Sequence, residues 1–232
     1  MGTTGSSAGD PPLTDLETRL AAATERLSRA AAALAPKHKG GEWEEYRAAY
    51  AAVLPLERAV AAAKGEPYAD PVNFPVRWCT GAPMPHLLVN DGRALLAFLV
   101  ERDDPAWDGT YVTLRSPADG AAEPLALVAF EGCVSAKLGA PNDEVFRGHP
   151  LSGRGLDPYT AQEVRNSPWL AELERINSVH HCYDHKRWAG LHHYVFWFHD
   201  TTFECVARSF EVELLEASFA DVLALACRRL VG

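Results

Sequence analysis

Six of the nine histidines in this 232-residue chain lie between His180 and His199. Imidazole is the side chain that exchanges protons near neutral pH, and it is also the commonest metal ligand. Both chemistries are tested by spacing. His193 and His199 share a face of an extended strand, but six residues place them about 20 Å apart, too far for one ion. His192 and His193 point to opposite faces. His181 and His185 have the i,i+4 spacing that could hold a metal on a helix, but the sequence lacks the Glu of a HExxH site. No cofactor is therefore expected, and a divalent metal at His181 and His185 is the alternative.

Proton transfer fits better. Residues 192–207 read HHYVFWFHDTTFECVA, two alternating runs around a polar connection. With HDTT as that connection, Phe198 faces Phe203. One face then carries Tyr194, Phe196, Phe198, Phe203, Cys205 and Ala207, and must be core. The other carries His193, Val195, Trp197, His199, Thr202 and Glu204. His199 and Glu204 fall on a cross-strand diagonal that their side chains can span. A carboxylate there fixes the imidazole tautomer and makes an acid–base unit. His199 is the expected proton-transfer group, Glu204 its orienter and Asp200 an auxiliary carboxylate. His149 and Glu163 are expected to join them from a long loop and the segment after it. Asn142, Arg147 and Arg154 from that loop, with Trp197, are the expected substrate contacts. The structural alternative is a polar pair closing a hairpin.

The elements that must position these groups are legible in outline. Leu16, Leu20, Ala23, Leu27, Ala30 and Leu34 form one helical stripe, and Thr14 with Glu17 reads as a capping box. A second helix from Glu42 carries Trp43, Tyr46, Tyr50 and Val53 on one face, and Pro55 is expected to kink or split it. Residues 67–85 hold five prolines and read as a linker between a helical hairpin (13–66) and an α+β domain (86–232). Residues 1–12 are expected to be disordered. LLV and RALLAFLVE flank Asn90-Asp91-Gly92, a hairpin turn signal. TYVTLR (110–115), PLALVAF (124–130), VSAKL (134–138) and YTAQEV follow as strands. Residues 139–158 form a Gly/Pro-rich loop. Ser167-Pro168 and Ser218 head two further helices. The apolar parity slips near Arg208-Ser209, which implies a bulge or bend.

Composition bounds the rest. A formal net charge of −9 argues against nucleic acid as partner. Five cysteines with no CxxC pair fit a reducing compartment, hence a cytoplasmic location. No signal segment and no apolar run of about 20 residues is present, so no membrane partner is expected. The motifs PNDE, GHPL, EVRNSPW and FHDTTFECVA resemble a set of bacterial hypothetical proteins over residues 130–208; that resemblance implies no fold, activity or catalytic residue.

The fold expected is therefore α+β: an N-terminal αα-hairpin plus a mainly antiparallel sheet of about six or seven strands covered by helices. The function expected is a small acid–base enzyme of hydrolase, lyase or isomerase type acting on a polar small molecule. The rival is a non-catalytic, immunity-like or regulatory protein whose acidic surface docks a basic protein partner. The N-terminal helices offer a homodimer surface.

Overall fold

Apolar runs that alternate, and runs that do not, divide this chain between two kinds of sheet. The computed structural model describes residues 11–34, 41–102 and 120–232. It separates into two compact units: the described residues up to Tyr68 with Gly153–Gly155, and the rest from Ala69 onward.

The helical unit pairs α1 (Leu13–Ala33) with α2 (Gly41–Ala63). Arg26 binds Glu45 through two hydrogen bonds, and Lys64 meets Glu17 at 2.7 Å. Early residues of one helix thus oppose late residues of the other, an antiparallel hairpin. Leu16 and Ala30 of the first helix and Ala49, Val53, Leu54, Val60 and Ala61 of the second are buried. One local expectation fails, and of the kink or split expected at Pro55 the split does not occur. The first helix begins at Leu13 with Pro12 at its N-cap and no side-chain cap, so Thr14 and Glu17 form no capping box. The second runs through Pro55 unbroken. A mid-helix proline costs about 3 kcal/mol, and buried residues on both sides of Pro55 offset it. The expected tail at 1–10, the 35–40 connection and the strand expected at 110–115 lie outside the described residues.

The second unit is a pair of antiparallel sheets. One has the order β2 (His86–Val89), β3 (Arg93–Leu99), β4 (Glu123–Glu131), β9 (Ser209–Ala217). The other has the order β1 (Tyr68–Pro71), β6 (Ala161–Arg165), β7 (His192–Trp197), β8 (Thr202–Ala207), β5 (Ser135–Gly139). The expected single sheet of six or seven strands is thus nine strands in two sheets among the described residues. The reason is visible at Arg208. There the chain leaves β8 of one sheet and enters β9 of the other, which is the parity slip of the sequence.

The main core lies between the sheets. Ala94, Leu96, Phe98, Val128 and Phe130 from one meet Tyr194, Phe196, Phe198, Phe203 and Cys205 from the other. The second face of the four-stranded sheet, with Leu95, Leu99, Leu125 and Leu127, is covered by α5 (Phe219–Val231) through Phe219, Val222 and Ala226. Burial on both faces explains why RALLAFL and PLALVAF read as continuous apolar runs. The segment read as a linker is partly core. Trp78 is 1% exposed and stacks on Phe196 at 5.6 Å, because an indole gains more from an aromatic interior than from solvent.

The second face of the five-stranded sheet is covered by the long loop. Leu151, Leu156 and Phe146 pack on Val195 and Trp197. Beside them, α3 (Pro168–Asn177) starts at Ser167, whose hydroxyl accepts the Leu170 N–H, as the Ser-Pro signal implies. A short helix, α4 (His185–Ala189), follows.

Candidate functional site

The polar groups of the five-stranded sheet are sorted by its register. In β7 and β8, Phe196 pairs with Phe203 and Trp197 with Thr202. The Phe198 N–H donates to the Thr201 carbonyl at 2.9 Å, leaving His199 and Asp200 as the turn. The expected register had Phe198 opposite Phe203. The true one is displaced by two residues, so every side chain keeps its expected face but changes its neighbours. Glu204 lies opposite Val195, and its diagonal partner is His193, not His199.

Two separate chains of hydrogen bonds replace the expected His199–Glu204 pair. In the first, His193 Nε2 lies 2.9 Å from Glu204 Oε2, and His193 Nδ1 lies 2.8 Å from Ser167 Oγ. An ionised carboxylate only accepts, so Nε2 carries a proton and donates it to Glu204, while Nδ1 shares a hydrogen bond with the Ser167 hydroxyl. Lys137 Nζ reaches the other Glu204 oxygen at 2.8 Å. Trp169 packs edge-on to His193 at 5.0 Å. His193 and Lys137 hold the Glu204 carboxyl down to about 2 although burial pushes it up. The His193 side chain is 5% exposed and both of its nitrogens are taken, so this network is a framework that fastens the start of α3 to the sheet and ties β7, β8 and β5 together across it.

In the second, Asp143 Oδ2 accepts from Tyr159 Oη at 2.5 Å and from His199 Nδ1 at 2.8 Å. Asp143 heads a 3-10 segment (Asp143–Gly148) in the long loop, and its N–H donates to the His199 carbonyl. Tyr159 sits at φ 61, a left-handed conformation costly for a residue with a Cβ, and its N–H donates to the Trp197 carbonyl at 3.0 Å. The Tyr159 hydrogen bond, followed by His199, holds the Asp143 carboxyl below the usual carboxylate range. Burial, followed by the Asp143 charge, pushes the Tyr159 phenol well up, so it stays protonated. His199 is 41% exposed, and beyond Asp143 its nearest carboxylate is Asp200, 4.0 Å from Nε2 and itself 80% exposed. One imidazole nitrogen is fixed by Asp143, and the other makes no hydrogen bond among the described residues.

The remaining expected residues scatter. His149 does come from the loop, but it packs edge-on to Trp197 at 5.0 Å and lies within the field of Glu204 and His193, not beside His199. Burial lowers its pKa, with Glu204 opposing. Glu163 binds His192 Nδ1 at 2.8 Å and Arg165 at 2.9 Å, a third and separate group. Trp197 is fully buried and cannot touch a substrate, because the loop covers the face that the sequence left open. Arg154 pairs with Glu66 at 3.3 Å within the helical unit. Asn142 and Arg147 flank Asp143 in the loop, Asn142 at the N-cap of the 3-10 segment and Arg147 exposed. Of the alternative metal pair, His185 Nδ1 is held by Glu174 at 2.8 Å. His181 instead has His180 and Cys182 as neighbours, with one ligand atom from each mutually within 4.8 Å.

Sequence reasoning missed Asp143 and Tyr159 as partners of His199, and His193 and Ser167 as partners of Glu204. The sequence separations are 56 and 16 residues for the Asp143 contacts, and 26 residues for Ser167 to His193. No local pattern carries such pairings. No helix among the described residues is long and apolar enough to cross a membrane. No known protein family, curated protein or solved structure matches this chain.

Proposed function

We propose that this protein is an acid–base enzyme of hydrolase, lyase or isomerase type, acting on a polar small molecule, with His199 as its proton-transfer group. The observation that carries the reading is the one-sided satisfaction of that ring. A carboxylate on Nδ1 selects the tautomer whose Nε2 is free to accept a proton, and it stabilises the imidazolium that results. Asp143 takes the orienting role expected of Glu204. Tyr159 keeps Asp143 charged, and the strained backbone at Tyr159 is the kind of feature that concentrates at working sites. Asn142, next to Asp143, and Arg147, from the same 3-10 segment, are the polar groups the loop offers to a substrate. Glu204, Glu163 and Trp197 are not part of this reading.

Carbethoxylation with diethyl pyrocarbonate, mapped by mass spectrometry, tests it without a known substrate. His199 should react faster than exposed His181, and Asp143→Asn should slow it. Equal rates at the two histidines in both proteins would overturn the reading. Once a turnover assay exists, His199→Ala must abolish it while the protein remains folded.

The rival reading, a surface that docks a basic protein, rests on the net charge of −9. Several of the carboxylates behind that charge are already matched. Glu45, Glu131, Glu213 and Glu216 each pair with an arginine. Such pairs leave the net charge at −9 and confine its surplus to the other acids.

A further inference from the structure

A cavity of about 450 Å³ opens at the end of the five-stranded sheet away from His199. It is bordered by the β2–β3 turn at Gly92, by Gly132 after β4, and by Arg187, Trp188 and Arg208. Its size suits a small organic ligand.

The arginines are what distinguish it. The chain has 31 acidic and 22 basic residues, so carboxylates are plentiful, and although the exposed Arg147, Arg175 and Arg228 also form no ion pair among the described residues, many guanidinium groups do. Arg93, Arg102, Arg165 and Arg229 of the same unit each do. Among the described residues, neither Arg187 nor Arg208 forms an ion pair, although both reach one cavity. Two carboxylates, Asp91 and Asp184, also border the space. Asp184 is engaged in capping α4, accepting the Lys186 N–H at 2.9 Å.

Arg208 is also seated with care. Its N–H donates to the Glu131 carbonyl at 2.9 Å, at the point where the chain passes between sheets. Its side chain lies against two glycines far apart in sequence. A Cβ at Gly132 would stand 3.2 Å from Arg208 Cβ, and one at Gly190 would stand 3.3 Å from Nη1. Gly132 is at φ +62, where a side chain would be strained as well. Two clearances therefore open the path of one cation into the cavity, while Trp188 and Leu191 supply apolar wall.

We propose that this cavity binds a small organic oxyanion, a carboxylate or phosphate on an apolar body, with Arg208 as the principal anchor and Arg187 as the second cation. A planar guanidinium grips either group through paired hydrogen bonds. The proposal does not depend on the role of His199.

The test is isothermal titration of the full chain with phenyl phosphate and with benzoate, at an ionic strength held constant with sodium chloride. Saturable binding of at least one probe is expected, with a dissociation constant on the order of 1 mM or tighter. Arg208→Gln should weaken it by about tenfold or more, equivalent to about 1.4 kcal/mol. Arg208→Lys should also weaken it, because charge without the fork is not enough, and Arg187→Gln should do so to a lesser degree. Arg77→Gln, an exposed arginine that does not border the cavity, should leave it unchanged. Which probe binds more tightly identifies the oxyanion. Absence of saturation by both probes up to about 10 mM would overturn the proposal, and so would binding that survives in both Arg208→Gln and Arg187→Gln.

Discussion

The two faces of the β7–β8 hairpin obey different rules. The inner face, with Tyr194, Phe196, Phe198, Phe203 and Cys205, is held by apolar contact, which is non-directional. Any register that preserves parity buries it. The outer face mixes the two: Val195 and Trp197 bury under the loop, while His193 and Glu204, with His199 at the turn beyond, are placed by hydrogen bonds, which need particular atoms at particular distances. A two-residue displacement leaves the apolar burial of both faces intact and rewires the polar pairs of the second. The tolerance of a core and the selectivity of a polar network thus meet on one pair of strands.

The largest effect expected is on the inner face. Phe196 touches Trp78, Phe130, Phe203 and Phe74. Phe196→Ala should cost about 3–5 kcal/mol in urea unfolding, through lost transfer energy plus the cavity left behind. A cost near zero would mean that this face is not the core of the unit.

On the outer face, Glu204→Gln should cost at most about 3 kcal/mol at neutral pH, the linkage equivalent of a carboxyl lowered from 4.5 to about 2. The folded-state value is depressed, so the stabilisation is fully present above the unfolded value of about 4.5 and is lost as pH falls toward 2. The stability gap between wild type and variant should therefore shrink steadily below about pH 4.5, as read by unfolding midpoints across that range. A gap independent of pH would show that the carboxylate charge is not what binds this face together.

The smallest effect is expected at the turn. Tyr159→Phe and His199→Ala should both move the Asp143 carboxyl titration upward in carbon-detected NMR, Tyr159→Phe by the larger amount, because its hydrogen bond is the main cause of the depression. Little change in unfolding midpoint should accompany either, since Asp143 and His199 lie near the surface. A reversed order would make His199 the principal partner and sharpen its separation from the buried framework below.

How much of this was legible in advance follows the same division. The Asn90-Asp91-Gly92 turn is where expected, with Asn90 Oδ1 accepting from the N–H groups of Gly92 and Arg93. Ser167 and Ser218 cap their helices as read, since a cap is a contact between residues three apart. The break near Arg208 was visible as a change of parity, but not that it marks a passage from one sheet to another. The proline-rich stretch looked like a linker because irregular backbone has no period, yet Phe74 and Trp78 join the core.

Sequence alone thus determined the helices at the N-terminus, the alternation of the hairpin and therefore which side chains point inward. These depend on the pitch of a helix and the pleat of a strand, which are properties of a few consecutive residues. Only the tertiary structure decided that Asp143 and Tyr159 reach His199, that Ser167 and Lys137 close around His193 and Glu204, and that Arg187 and Arg208 border one cavity. Those meetings depend on a two-residue choice of register and on where a twenty-residue loop comes to rest. Both are set by the closure of the whole unit, not by any local pattern.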